Sequence, residues 1–120
     1  MEVADRVVLI TGASSGVGAA LATQLADMGA RVVVNYSRSA EAAEAVVEQI
    51  TGAGGQALAV QADVSAEADC KRLVATTVEH FGQLDVLVNN AGIAIMCSVF
   101  EMSLEDWLRQ QAINLDGVFL

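Results

Sequence analysis

The clearest chemistry in this chain lies in one turn, Thr11-Gly12-Ala13-Ser14-Ser15-Gly16-Val17-Gly18, which follows directly on the apolar run Val7-Val8-Leu9-Ile10 and opens a helix. Glycines there let the backbone bend sharply and let a pyrophosphate approach with no Cβ in the way. The last glycine lets the helix pack close on the strand, and the unpaired N–H groups of the helix N-terminus face the anion. The spacing Gly-x-x-x-Gly-x-Gly differs from the commoner Gly-x-Gly-x-x-Gly, so its weight comes from its place between a strand and a helix. The structural alternative is a tight turn with no ligand. A P-loop is excluded, because no Gly-Lys-Ser/Thr follows and the only lysine of the chain is Lys71.

Further polar groups stand where open parallel sheets bind ligands, at the carboxyl ends of strands. Asp63, followed by Val64, can accept a hydrogen bond from an adenine amino group; its alternative is a structural residue at the start of the third helix, beside Ser65. Asn89 and Asn90 each offer amide donors and an acceptor, suited either to tying neighbouring strands together or to holding a ribose. The Thr11 hydroxyl is expected to bond across to that asparagine turn. A carboxylate at the end of the second strand would select NAD by holding the adenosine ribose. This chain has Asn35-Tyr36-Ser37-Arg38 there instead. Nothing in that stretch repels a 2′-phosphate, and the Arg38 fork, helped by the Ser37 hydroxyl, can pair with one. NADP is therefore favoured, with NAD as the alternative. The other reading of Arg38 is a solvated loop charge balancing Glu41.

These groups need a frame. Val7-Val8-Leu9-Ile10, Val32-Val33-Val34, Ala57-Leu58-Ala59-Val60 and Val86-Leu87-Val88 are short, continuously apolar runs, the pattern of strands buried on both faces of a parallel sheet. Between them, Val17, Ala20, Leu21, Leu25 and Met28 recur at helical spacing, as do Ala43, Val46, Val47 and Ile50, and then Cys70, Leu73, Val74, Thr77 and Phe81. Each stripe is predicted to face the sheet. Gly29 and Gly82 are predicted C-caps, and Ser65 and Ser103 predicted N-caps, Ser103 with Asp106 at capping-box spacing. Strands alternating with helices require right-handed crossovers, so the fold class is α/β, a doubly wound parallel sheet of Rossmann-like type with expected order 3-2-1-4. The last helix reads Leu104, Trp107, Leu108, Ala112, Leu115 and Phe119; Asn114 within it is a poor helix former and is expected to mark a functional kink. His80, near the end of the third helix, is read as a surface residue, and Trp107 and Phe100 as packing groups rather than stacking platforms.

With 120 residues the chain has room for one domain, and separate cofactor and substrate domains are not expected. Hydrophobic residues at 54% against charged ones at 18% exclude intrinsic disorder. The net charge of −9 has the wrong sign for holding nucleic acid or an acidic membrane surface, and serves solubility. No apolar stretch approaches the roughly 18 residues of a membrane helix, and the apolar run after Met1-Glu2-Val3-Ala4-Asp5-Arg6 is too short for a signal sequence. Cys70 and Cys97 stand apart without a Cys/His cluster, so neither a zinc site nor a disulfide framework is expected; free thiols suit a reducing cytoplasm.

The glycine turn, Asp63-Val64, Asn89-Asn90-Ala91-Gly92 and Asn114, in this order and spread over the whole chain, resemble the short-chain dehydrogenase/reductase family. The segment Val34-Asn35-Tyr36-Ser37-Arg38-Ser39 is similar to that of the β-ketoacyl carrier-protein reductases and glucose dehydrogenases within it. The resemblance implies a nicotinamide dinucleotide held by Gly12, Ser14, Ser15, Gly16, Val17 and Gly18, by Tyr36, Ser37 and Arg38, by Asp63 and Val64, and by Asn90, Ala91 and Gly92. It implies hydride exchange with a small-molecule carbonyl or alcohol, and a tetrad of a Tyr general acid, a Lys four residues later, a Ser and an Asn. Only Asn114 of that tetrad is in the chain. Its single tyrosine, Tyr36, is followed four residues later by Ala40, and Lys71 lies on the third helix. The Ser should follow a fifth strand, beyond Leu120. The expectation is thus the NADP-binding N-terminal portion of an oxidoreductase, residues 1–120 as one domain cut short in its fourth helix. Such a chain binds but does not turn over, and belongs when whole to a homo-oligomer. The alternative from another class is a non-catalytic dinucleotide-binding or interaction module complete at this length. A methyltransferase-like nucleotide fold is disfavoured, since it leaves the asparagine-glycine turn without a purpose.

Overall fold

Branched side chains, stiff at χ1, favour extended backbone, and the apolar runs, valine-rich in all but the third, are the strands of the computed structural model, which describes residues 2–120. These are β1 (Val7–Ile10), β2 (Arg31–Tyr36), β3 (Gln56–Gln61) and β4 (Val86–Val88). They form one sheet in the order β3-β2-β1-β4, as the alternation of strands and helices requires. All pairs are parallel, with Val8 opposite Val32 on one side and Val86 on the other, and Val33 opposite Leu58. Strand order reverses between β1 and β4, which opens a crevice at the carboxyl ends of the strands.

Helices α1 (Gly16–Asp27), α2 (Ala40–Gly52) and α3 (Glu67–Phe81) cover the sheet. Val8, Ile10, Val32 and Val34 pack on one side with Ala22, Ala26, Ala43, Val46 and Ile50. On the other side Leu9, Val33, Val60 and Leu73 form a smaller core. The central strands β1 and β2 are thus buried on both faces; the edge strands β3 and β4 are only partly so.

The α2 and α3 stripes bury Ala43, Val46 and Ile50, and Cys70, Leu73 and Thr77, as their spacing predicts, although Val74 is exposed. On α1 the expected stripe is only partly right. Its sheet-facing residues are Gly18, Ala22 and Ala26, while Val17, Ala20 and Met28 face solvent and Leu21 and Leu25 pack at the flank. The reason is the closeness of the approach: a Cβ at Gly18 would stand 2.5 Å from Asn90 Nδ2 and 2.7 Å from the Gly12 carbonyl oxygen. Only small residues let a helix sit that near, so small rather than large side chains mark its buried face.

Gly82 closes α3 at φ +83°, and Gly29 follows α1 at φ +93°. Ser103 caps α4 (Leu104–Gln111), its Oγ accepting the Asp106 N–H at 3.1 Å. Ser65 does not cap α3. Ala66 holds that place, and the Ser65 amide and hydroxyl both donate to Asp63 Oδ1, at 2.9 and 2.6 Å, a charged acceptor two residues away. Helix α4 runs through a π-helical turn, Ala112–Asp116, into α5 (Gly117–Phe119), so the irregularity expected at Asn114 takes the form of a wide turn. Trp107 on α4 and Phe100 in the loop before it, both expected to pack, are instead 51% and 97% exposed.

Candidate active site

Two amide side chains hold the glycine turn in place. Asn90 Nδ2 donates to the carbonyls of Thr11 and Gly12, at 3.0 and 3.1 Å. Thr11 Oγ1 accepts the N–H groups of Asn90 and Ala91, both at 3.0 Å, so the bridge expected from Thr11 is present. Asn90 makes the tie between strands, and Asn89 is exposed. The second amide is one whose structural work the sequence reading missed. Asn35, only 2% exposed, accepts the Gly12 N–H at 3.1 Å and donates through Nδ2 to the carbonyls of Val60 and Ala62, at 3.3 and 3.2 Å. It joins the ends of β1, β2 and β3. The available signal was an amide ending a run of valines, a polar group that a buried position must satisfy.

The glycines have different tasks. Gly12 takes φ +61°, and a Cβ there would lie 2.9 Å from Ala91 Cα. Gly16 takes φ +59° with nothing within 4 Å of its would-be Cβ, so the turn presents a bare, open backbone. Gly18 serves close packing.

Around this turn a cleft of about 760 Å³ opens at the carboxyl ends of the strands. Of the residues predicted for the site, Gly12, Ser14, Ser15, Val17, Tyr36, Ser37, Arg38, Asp63, Val64, Asn90, Ala91 and Gly92 line it. Gly16, Gly18 and Asn114 do not, although the two glycines shape its turn. Arg109, Ala112 and Ile113 line it as well, from the far wall, and the sequence reading missed them. Helical spacing puts positions 109 and 113 on one face, but nothing local says that this face meets the glycine turn.

Asp63 is fixed twice: Oδ1 accepts from Ser65, and its own N–H donates to Asp69 Oδ2 at 2.8 Å. The Ser65 hydrogen bonds hold its carboxyl below the usual 3.8, with the charges of Arg38 and Arg109 acting in the same direction against partial burial. Ionised, it is purely an acceptor, as an amino group requires. Asn114 closes the other end: Oδ1 accepts the Ile93 N–H and Nδ2 donates to the Ile93 carbonyl, both at 2.8 Å. Gln110 adds a bond from the Ile95 N–H at 3.1 Å, so the last helix is stitched to the loop after β4.

The remaining candidates lie elsewhere. His80 is exposed, its ring edge-on to Phe81 at 4.6 Å between centroids. Cys70 is buried with Sγ donating to the Val64 carbonyl, and burial pushes its thiol pKa up; Cys97 is exposed, and both are free. Among the described residues no group of His, Cys, Asp or Glu is placed to hold a metal, and no helix is long and apolar enough to cross a membrane.

The polar groups suit an anionic dinucleotide with an adenine at one end: as donors the open glycine backbone at Gly16, the Ser14, Ser15 and Ser37 hydroxyls and two guanidiniums, and as acceptor the Asp63 carboxylate. A family model described as short chain dehydrogenase matches residues 6–120. The chain belongs to that family. It is 50% identical over 115 residues to 3-oxoacyl-[acyl-carrier-protein] reductase of Synechocystis, covering 96% of this chain and 47% of the relative. Versicolorin reductase 1 of Aspergillus parasiticus is 46% identical over 114 residues, covering 95% and 44%. The chain thus spans about half the length of the curated relatives it matches. A short-chain dehydrogenase of Burkholderia cenocepacia J2315, solved in complex with NADP, superposes with TM-score 0.94 at 39% identity over 99% of this chain and 49% of the other. A short-chain dehydrogenase/reductase of Serratia marcescens gives TM-score 0.93 at 41% identity, with the same coverage. Within this family of oxidoreductases, the resemblance drawn from the glycine, aspartate and asparagine motifs is correct, and so is the Rossmann-like sheet.

Proposed function

We propose that this chain is the NADP(H)-binding portion of a short-chain oxidoreductase whose whole form exchanges hydride between nicotinamide and a small carbonyl or alcohol. The observation that carries the reading is Arg38 lining the same cleft as Gly12, Ser14 and Ser15 of the glycine turn, just past a strand end with no carboxylate to reject a 2′-phosphate. Gly12, Ser14, Ser15, Gly16 and Val17 would hold the diphosphate, with Gly18 setting the closeness of α1. Tyr36, Ser37 and Arg38 would hold the phosphorylated ribose; Asp63 and Val64 the adenine; Asn90, Ala91 and Gly92 the remaining wall. When bound, the nicotinamide supplies or takes the hydride.

The chain's own residues bind and orient. Asn114, the one member of the expected tetrad present, fixes the backbone at Ile93 and so the wall of the cleft. With one tyrosine and one lysine, Tyr36 and Lys71, no Tyr-x-x-x-Lys pair can form, and residues 1–120 alone bind without turnover. In this reading the whole protein works in the cytoplasm as a homo-oligomer, with neither nucleic acid nor membrane as partner. The names of the Synechocystis and Aspergillus relatives, both reductases, support carbonyl reduction.

Calorimetric titration of NADPH and NADH tests this. One charge-assisted phosphate contact is worth about 1.5–3 kcal/mol, so NADPH should bind at least about tenfold more tightly, and Arg38→Ala should erase the difference. Equal affinities in the unmodified chain would contradict it.

A further inference from the structure

Most of the cations in this acidic chain are spoken for. Of its six Lys and Arg residues, Arg6 pairs with Asp85 at 3.7 Å, Lys71 with Glu67 at 3.2 Å and Arg72 with Asp69 at 3.6 Å. Arg31 donates to the carbonyls of Phe81 and Asp5, at 3.2 and 2.9 Å. The other two, Arg38 and Arg109, make neither an ion pair within 4.0 Å nor a side-chain hydrogen bond among the described residues, and both line the cleft. Glu105 stands one turn before Arg109, at the spacing for a helical ion pair, yet does not take it. A helix-dipole role does not account for Arg109 either, since the helical backbone continues past Gln111 through the π turn. The one other charged residue lining the cleft is Asp63, so two positive and one negative group give it a net charge of +1 in a chain of net −9. Arg38 comes from the loop after β2 and Arg109 from α4, so the two guanidiniums approach from different walls.

We propose that Arg109 is a second specificity-determining cation, acting with Arg38 on the phosphorylated adenosine end of the dinucleotide. This rests on reading the cleft as an NADP site. Because the charge sits across the cleft and near solvent, its effect is smaller than that of a direct bidentate contact, and screened by salt.

The test uses the full chain with 2′,5′-ADP as probe and 5′-AMP as control, titrated calorimetrically at several salt concentrations. Arg109→Gln should weaken 2′,5′-ADP about fivefold, change 5′-AMP less than about twofold and flatten the salt dependence; Arg109→Lys should recover most of the loss. Melting curves of both variants should match the unmodified chain, since Arg109 makes no bond that the fold needs. An unchanged affinity of Arg109→Gln for 2′,5′-ADP, or an equal loss for both probes, would overturn the proposal. If Arg38→Ala removes the preference for 2′,5′-ADP while Arg109→Gln leaves it, this inference alone fails. If the unmodified chain shows no preference for 2′,5′-ADP, the NADP reading fails and takes this inference with it.

Discussion

Asp63 and Asp85 are single carboxylates on which whole loops depend. Asp63 gathers the amide and hydroxyl of Ser65, and Asp85 gathers the Val7 N–H at 2.8 Å and the Gln83 amide at 2.7 Å. Those hydrogen bonds hold both pKa values below the usual 3.8. In acid the unfolded chain therefore binds more protons than the folded one, so the stabilisation is whole above the ordinary carboxylate pKa and is lost as pH falls through the folded value. Urea midpoints should stay level from neutrality down to about pH 5 and drop below about pH 4. Asp63→Asn with Asp85→Asn should flatten the drop; an equal acid slope in the double variant would contradict this. At this scale the sequence was readable where a residue's type and its neighbours define its work, as at Thr11 and Asn90. It was not readable at Arg109, which reaches the cleft only through the placement of a later helix, nor at Asn35, whose place at a strand end says that no carboxylate stands there but not which carbonyls its buried amide joins.

Between elements, the contact of α1 with the asparagine turn separates two kinds of glycine. A methyl group at Gly18 has no room beside Asn90 and Gly12, so Gly18→Ala should cost about 1–3 kcal/mol of stability through overpacking. At Gly16 there is room, and Gly16→Ala should cost only the positive-φ strain, about 1–2 kcal/mol, yet weaken dinucleotide binding more than that loss explains. Denaturation and titration on both variants check this; undiminished binding by Gly16→Ala would show that the open backbone is not where the ligand lies. The same contact explains why the α1 stripe was misread. Periodicity of large apolar residues finds faces packed at ordinary helix-sheet distance, whereas close approach selects Gly18, Ala22 and Ala26. The Ser65 cap was lost to a local competitor, the Asp63 carboxylate, that a capping rule does not weigh.

For the molecule as a whole, the sheet order was legible because crossover handedness leaves few alternatives, and the cleft follows from that order. What covers the outer surfaces was not legible, since it depends on elements distant in space. Strand β4 is an open edge with Leu87 exposed, and Leu104, Leu108, Leu115 and Phe119 present apolar surface to water. Repulsion from a net charge of −9 is screened within about 8 Å at physiological salt and does not cover such patches. The 120-residue chain should therefore self-associate, seen as a sedimentation coefficient that rises across a concentration series; a concentration-independent monomer would contradict this. The central claim, that the crevice at the strand ends is a dinucleotide site, is tested most directly by amide hydrogen exchange with and without saturating NADPH. Exchange should slow in residues 12–18, 35–39, 63–65 and 90–93 and stay unchanged at the far end of α2, in residues 48–54. Unaltered exchange in all four loops, or protection confined to other parts of the chain, would contradict the account.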